Sequence, residues 1–235
     1  MPRKGAVRVP RGFSLSAARR AQRIIAARVV KRDLISAREV ELVGGVDVAY
    51  SGDAAVGAWV TLDYETMEVV DEGVSVVKLR FPYVPTLLSF REVSPAASAY
   101  LRLKVKPQVS LVDGQGLLHP YRAGFASHLG VALDVATIGV AKKLLCGSVG
   151  EWRGSWAPIV DRGEVIGAAL RSKGGKVVYV SVGNKVSLET ALEIVARCIR
   201  EHWLPEPIRA AHNLATRTAR GLRAPSRERR PPDDL

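Results

Sequence analysis

Residues 42–79 read LVGGVDVAYSGDAAVGAWVTLDYETMEVVDEGVSVVKL, and this stretch decides the fold. It contains three apolar runs, separated by the turn-forming segments Ser51-Gly52-Asp53 and Asp63-Tyr64-Glu65-Thr66. Apolar runs between such turns are typical of a meander of neighbouring strands. We therefore predict three strands, at Leu42–Ala49, Ala55–Leu62 and Val69–Leu79.

A different pattern follows the meander. Strand-like and helix-like segments alternate there, at Val109–Val112, Ala123–Ala132 and Ala136–Val140. Three meandering strands followed by helix–strand alternation predict an α/β fold with a mixed central sheet flanked by helices. This order of elements resembles that of the ribonuclease H-like folds.

The remaining segments predict elements that surround this unit. Apolar residues at helical spacing predict further helices, and two apolar runs around a glycine turn predict a second hairpin. The helices are expected at Ser16–Lys31, Thr86–Val93, Ala96–Val105 and from the capping Ser187 to the stops Pro205 and Pro207; the hairpin strands are expected at Val165–Leu170 and Val177–Val182.

Length and composition suit a single globular domain, which we expect to span residues 1–216 of the 235. Apolar residues make up 47% of the chain and charged residues 25%, values that exclude an intrinsically disordered protein. No apolar run approaches the roughly 20 residues of a membrane span, and the basic N-terminus lacks the apolar core of a secretory signal. Cys146 and Cys198 cannot by themselves form a disulfide framework or a four-ligand zinc site. We therefore expect a cytoplasmic protein.

The net charge of +12 is concentrated at the two ends of the chain. Residues 1–33, which include the predicted N-terminal helix, contain ten basic side chains and one acidic one, and residues 217–235 contain six arginines and three acidic residues. Basic ends on a neutral body predict a polyanionic partner, because each phosphate contact releases a counterion. For residues 217–235, which are rich in Arg and Pro, a flexible solubilising tail is the alternative.

Three acidic residues are candidates for chemistry. Asp47 lies within the first predicted strand, where an ionised carboxylate is costly without a cation. Asp113 follows the strand at 109–112 and precedes Gly114-Gln115-Gly116, whose glycines let the backbone approach a ligand. Glu92 lies in a predicted helix. Carboxylates from different elements of one unit suit a hard cation such as Mg²⁺, although an aspartate before glycine is more often a turn residue.

Four segments place these acids in a family context: VGGVDVAY (43–50), FPYVPTLLSFRE (81–92), LVDGQGLLHPYRAGFASHLGV (111–131) and ATIGVAKKLL (136–145). Each segment alone is a weak signal, but their order along the chain is specific. Together they resemble the endonuclease V family, repair nucleases that nick DNA near deaminated adenine. The resemblance extends from about residue 42 to residue 212.

The resemblance implies catalytic roles for five residues. Asp47 and Asp113 match the family's metal-binding aspartates, and Glu92 matches its third active-site acid. Mg²⁺, with Mn²⁺ as a substitute, would polarise the scissile phosphate and neutralise the developing charge. His212 falls where the family places an Asp or His near the metal, and Lys142 matches a lysine that can neutralise a phosphate oxygen. The alternatives are a surface histidine and a solvated lysine.

The resemblance also implies a DNA-binding set. Pro82, Tyr83, Val84 and Pro85 match the family's strand-separating wedge, which fills the space left by an extruded base. Gly114 would help to form the wall of a pocket for flipped hypoxanthine. His119 matches a family histidine near the active site. Without the family match, the segment 82–85 would be a rigid turn, and a structural role for His119 remains open.

Four positions depart from the family pattern, and none of them is an active-site acid. Ser89 stands where the family commonly has alanine, and Asn184 where it often has histidine. Thr86 stands where the family usually has glycine after the wedge, so the shape of the pocket and the range of lesions stay open. Tyr121 replaces a commoner arginine, and Arg122 is expected to supply the phosphate contact that this replacement removes.

The resemblance therefore implies a metal-dependent endonuclease that hydrolyses the second phosphodiester bond 3′ to deoxyinosine and leaves 3′-hydroxyl and 5′-phosphate ends. Its expected partner is damaged DNA, with inosine-containing RNA as the alternative; neither a membrane nor an obligate protein partner is expected. A non-catalytic nucleic-acid-binding protein of the same fold is a further alternative, which the intact Asp47, Glu92 and Asp113 disfavour.

Overall fold

The meander forms one edge of the central sheet. In the computed structural model, which describes residues 10–222, β1 (Leu42–Ser51), β2 (Ala54–Asp63) and β3 (Val69–Lys78) pair antiparallel in sequence order. The three predicted strands are confirmed, with ends that move by one or two residues. Residues 1–9 and 223–235, and with them most of the predicted tail, lie outside the described part of the chain.

The sheet becomes mixed where β1 meets β4 (Val109–Asp113). β1, β4 and β5 (Ala136–Ala141) run parallel, and the chain passes through α2 (Ser89–Tyr100) and α3 (Phe125–Leu133) to reach β4 and β5. An antiparallel half then follows, made of β6 (Ser148–Val149), β7 (Trp156–Asp161), β8 (Glu164–Arg171) and β9 (Val177–Asn184). Within residues 10–222 the strand order is β3-β2-β1-β4-β5-β9-β8-β7-β6, which confirms the predicted mixed sheet.

Helices cover both faces of this sheet, as predicted. On one face, α2 and α3 pack against Trp59 and Val112, and α1 (Leu15–Arg28) lies against α3. On the other face, α4 (Leu188–Cys198) and α5 (Glu206–Gly221) pack against Val43 and Leu111. Alternate residues of β1 therefore face different helices. No helix among residues 10–222 is long and apolar enough to cross a membrane.

Two glycines set how closely the helices approach the sheet. A Cβ at Gly45 of β1 would overlap the carbonyl of Pro207 in α5, and a Cβ at Gly57 of β2 would overlap the carbonyl of Pro95 in α2. Only residues without a side chain allow such contact between two backbones. Both glycines lie beside strand positions that carry the site described below.

The structure corrects three expectations about helices. The two helices predicted at 86–93 and 96–105 are one helix, α2, which continues through its internal Pro95. Around the proline the helix packs on the sheet, where the carbonyl of Pro95 accepts a hydrogen bond from Ser75 Oγ (2.7 Å). Pro205 and Pro207 do not end α4, which stops at Cys198; they begin α5, where a missing N–H costs nothing. Helix α5 continues to Gly221, beyond residue 216, the end of the predicted domain.

Candidate active site

Asp47 and Asp113 lie side by side on two parallel central strands. Val46 of β1 is opposite Val112 of β4, and the next residue of each strand is an aspartate. Asp47 Oδ1 accepts a hydrogen bond from the N–H of Val48 (2.8 Å). Both carboxylates are largely buried, with side chains 14% and 15% exposed. The register of the sheet therefore brings two negative charges together, as the sequence predicted.

Helix α5 adds His212 to this pair. Its Nδ1 lies 2.8 Å from Asp47 Oδ2, and the ligand atoms of Asp47, Asp113 and His212 all lie within 4.8 Å of one another. The close approach of α5 to β1 at Gly45 makes this distance possible. Two carboxylates and one imidazole can coordinate a single divalent ion such as Mg²⁺ or Mn²⁺. We refer to these three residues as the acid–histidine cluster.

Lys142 follows β5 and faces the cluster. Its Nζ donates a hydrogen bond to Asp113 Oδ2 (2.6 Å). Burial and the negative charge of Asp47 raise the pKa of Asp113, and the ammonium group of Lys142 acts against this rise. The lysine therefore supplies part of the positive charge that the two aspartates need.

Glu92 reaches the cluster from α2. It is 7% exposed, and its Oε1 accepts a hydrogen bond from the hydroxyl of Tyr50 (2.8 Å). Burial raises the pKa of Glu92 to about 8; the charges of Asp47 and Asp113 add to this rise, and the Tyr50 hydrogen bond opposes it. Glu92 is not one of the three residues whose ligand atoms lie within 4.8 Å of one another. It is therefore a buried acid beside the cluster, whose raised pKa favours the protonated form near neutral pH in the metal-free protein.

A cavity of about 560 Å³ opens next to Asp113. Tyr83, Gly114 and His119 of the predicted DNA-binding set line it, together with Lys142. Much of the remaining wall is formed by Thr86, Leu88, Gln115, Ala123, Phe125, Leu144 and Leu145. Asp113 belongs to both the cavity wall and the acid–histidine cluster. A flat apolar group in the cavity would therefore lie directly beside the cluster.

The segment 82–85 stands at the mouth of this cavity. Tyr83 is 66% exposed. Pro85 is also exposed, whereas Pro82 and Val84 are half-buried. Tyr83 lines the cavity, and the other three residues of the segment do not. The structure thus brings Tyr83 to the site and places its three neighbours around it as the frame of a short loop.

Comparison with known proteins assigns the chain to a family. The family model described as Endonuclease V matches residues 23–213. The chain belongs to the endonuclease V family. An endonuclease V from Thermofilum pendens is 53% identical over 216 residues, which cover 91% of this chain and 93% of that protein. The resemblance seen in the sequence is confirmed.

Solved structures of endonuclease V share the fold. The structure from Streptomyces avermitilis is 37% identical, with a TM-score of 0.83 over 94% of this chain and 100% of that chain. The structure from Ciona intestinalis, in complex with a 24mer DNA containing an inosine followed by a ribo-adenosine, is 32% identical. Its TM-score is 0.80, over 88% of this chain and 98% of that chain.

Two of the departures from the endonuclease V pattern, Thr86 and Tyr121, have different surroundings. Thr86 has a φ of 66°, in the left-handed region that favours glycine and that β-branched residues rarely adopt. The guanidinium of Arg122, which the sequence offers for the phosphate contact, is bound by Asp161 (2.7 Å) and Glu164 (3.4 Å) and is only 18% exposed. The ring of Tyr121 lies under the guanidinium of Arg19, whose Cζ is 4.0 Å from the ring centroid.

His119 is buried in the wall of the cavity. Its Nδ1 accepts a hydrogen bond from the N–H of Tyr121 (3.2 Å). Burial lowers the pKa of His119 to about 4, so the ring is neutral at pH 7. The ring therefore places no positive charge in the wall of the cavity.

Sequence reasoning missed Tyr50, which contacts Glu92 in the site, and Gln22, which contacts Thr86 from outside it. Tyr50 lies at an even position of β1, on the face that packs against α2, so strand alternation could have paired it with Glu92. Gln22 is fully buried and lies between Ala18 and Ile25 on the buried side of α1. Gln22 could have been found as a polar residue among the apolar residues of this helix face, since buried polar side chains need hydrogen-bond partners.

Proposed function

We propose that this member of the endonuclease V family is a DNA repair enzyme that recognises deoxyinosine and hydrolyses the second phosphodiester bond on its 3′ side, leaving 3′-hydroxyl and 5′-phosphate ends. One observation carries the proposal: Asp113 belongs to both the cavity wall and the acid–histidine cluster. A base extruded into the cavity would leave the phosphates that follow it beside the cluster. The complex of the Ciona relative with inosine-containing DNA supports inosine as that base.

Asp47, Asp113 and His212 would hold the divalent ion of the enzyme. Mg²⁺ is our choice because two of the three ligands are carboxylates, and Mn²⁺ would substitute because it also accepts imidazole. When bound, such an ion polarises the scissile phosphate and offsets the charge that develops on it. The mutual repulsion of two largely buried aspartates provides the electrostatic reason for binding it.

Lys142 and Glu92 would act on the substrate from the two sides of the cluster. Lys142 lines the cavity and contacts Asp113, so its ammonium group can donate to a phosphate oxygen between the base and the cluster. Burial raises the pKa of Glu92 to about 8 in the metal-free protein. An acid that titrates near the working pH can accept and return a proton during hydrolysis.

Tyr83 would enter the duplex in place of the extruded base. Its ring is 66% exposed at the cavity mouth, and the two prolines that flank it limit the conformations of the loop. Gly114 and His119 would form part of the wall against the base. Because His119 is neutral, it can line the pocket without placing a charge against the base.

Inosine-containing RNA is a second candidate substrate. The DNA bound by the Ciona relative has a ribo-adenosine directly after the inosine. A site that accepts a ribose at that position is compatible with RNA, since the difference is a 2′-hydroxyl.

For the compartment we propose the cytoplasm, on the basis of the free thiols of Cys146 and Cys198.

The test maps the product of cleavage. End-labelled duplexes with one deoxyinosine or none, and a matched inosine RNA, are incubated with the enzyme and Mg²⁺, and the cut is located against a sequencing ladder. We expect one nick, at the second bond 3′ to deoxyinosine, with an end that a ligase can reseal. A nick at the lesion itself, or equal cutting of the undamaged duplex, would refute the proposal, and cutting of RNA alone would replace DNA by RNA as the substrate.

A further inference from the structure

Gln22 is a fully buried amide in the N-terminal helix, and both ends of its side chain are hydrogen-bonded. Its Nε2 donates to the carbonyl oxygen of Thr86 (2.6 Å), and its Oε1 accepts from Nη1 of Arg19 (2.8 Å). The contact with Thr86 joins residues that are far apart in sequence. Helix α1 is thus fixed to the residue that directly follows the segment 82–85.

The backbone of Thr86 needs such a contact. Its φ of 66° is unfavourable for a β-branched residue and persists only where the surroundings determine it. The ring of His119 also hydrogen-bonds the backbone of Thr86. Gln22 and His119 therefore hold this turn from the helix side and from the cavity side.

The other end of the segment is also in contact with the N-terminal region. The ring of Phe13, just before α1, lies 5.3 Å from the ring of Phe81, which directly precedes Pro82. Phe81 lies 6.3 Å from Phe90 at the start of α2. The chain around α1 thus contacts the residue before the segment and the residue after it, and leaves Tyr83 between them exposed.

We propose that α1 braces the segment 82–85, the loop that would separate the DNA strands, and that Gln22 is a positioning residue for cleavage of duplex substrates. This inference rests on the proposed function. A loop that enters a duplex must resist the stacking and pairing that it displaces, so a loop fixed at both ends separates strands better than a mobile one. Single-stranded DNA offers no pairing to displace. Loss of the brace is therefore expected to impair cleavage of duplexes selectively.

Gln22→Met tests the inference, because Met has a similar volume but cannot donate to Thr86. We measure kcat/KM for deoxyinosine in a duplex, in a single strand and in an unpaired bubble. The kcat/KM of the variant on the duplex is expected to fall about tenfold, which corresponds to the loss of about 1.4 kcal/mol from one hydrogen bond. On the other two substrates its kcat/KM is expected to match that of the wild type. Rescue by the bubble is a result that a merely unstable protein would not give.

Two further variants keep the test decisive. Ala27→Gly lowers helix stability at an exposed position of α1 that makes neither contact, and is expected to leave the ratio of duplex to single-strand cleavage unchanged. Phe13→Leu removes the ring at the other end of the loop and is expected to reproduce the selective loss. Equal losses on all three substrates, or no loss in either brace variant, would overturn the inference. A wild-type enzyme that cuts no inosine substrate would overturn the proposed function first.

Discussion

Glu92→Gln is expected to make the metal-free protein less sensitive to alkaline pH. Burial raises the pKa of Glu92 from its usual value near 4.5 to about 8. A carboxyl with a higher pKa in the folded chain than in the unfolded chain stabilises the fold below the unfolded pKa and loses that contribution as the pH rises to the folded value. At 1.36 kcal/mol per pKa unit, the wild type should lose up to about 5 kcal/mol between pH 4.5 and 8.

Urea unfolding in the presence of a chelator measures this loss at pH 5, 7 and 9. The free energy of unfolding of Glu92→Gln should exceed that of the wild type by an amount that grows with pH. Glu193→Gln, at an exposed position of α4, is the matched control and should follow the wild type. If Glu92→Gln follows the wild type across this range, Glu92 is not the strained acid that its burial indicates, and its proposed role in proton transfer loses its basis.

Two further predictions concern single side chains. Lys142→Met should lower the rate of cleavage about a hundredfold, because the contact with the phosphate is lost. Calorimetry should find Mg²⁺ binding at least as tight as in the wild type, because the ammonium group no longer competes for Asp113. A large loss of Mg²⁺ binding would contradict this. Burial lowers the pKa of His128 to about 4, so the fold should lose stability as the pH falls from about 6.5 to 4. His128→Gln should remove up to about 3 kcal/mol of that loss in urea unfolding at pH 7 and 4.5, and the exposed His202→Gln should not.

The fold was predictable where the pattern of apolar residues is local. The meander and the alternation that follows it have turn residues at their boundaries, so the three strands of residues 42–79 were found almost to the residue. The strands at Ser148–Val149 and Trp156–Asp161 were missed. The first strand is too short to show an alternating pattern of apolar residues. The second contains Pro158, which normally argues against a strand. Pairing with neighbouring strands determines them: β6 pairs with β7, and β7 pairs with β8.

The site was predictable to the extent that the chain supplies motifs. The strand register explains why Asp47 and Asp113 meet, but the approach of His212 depends on how α5 crosses β1 at Gly45, which no local pattern encodes. The contact between Gln22 and Thr86 is likewise a product of tertiary packing. The partners of His212 and Gln22 could not be inferred from the sequence, because each contact joins residues more than 60 positions apart in the chain.

The most direct test of the account compares Asp113→Ala with Asp53→Ala in nicking of a duplex that contains one deoxyinosine. Asp53 is an exposed acid in the turn between β1 and β2 and serves as the matched control. We expect the wild type and Asp53→Ala to nick the duplex with Mg²⁺ and not with chelator, and Asp113→Ala to bind the duplex without nicking it. Nicking that survives either the chelator or the loss of Asp113 would contradict a metal-dependent reaction at the acid–histidine cluster.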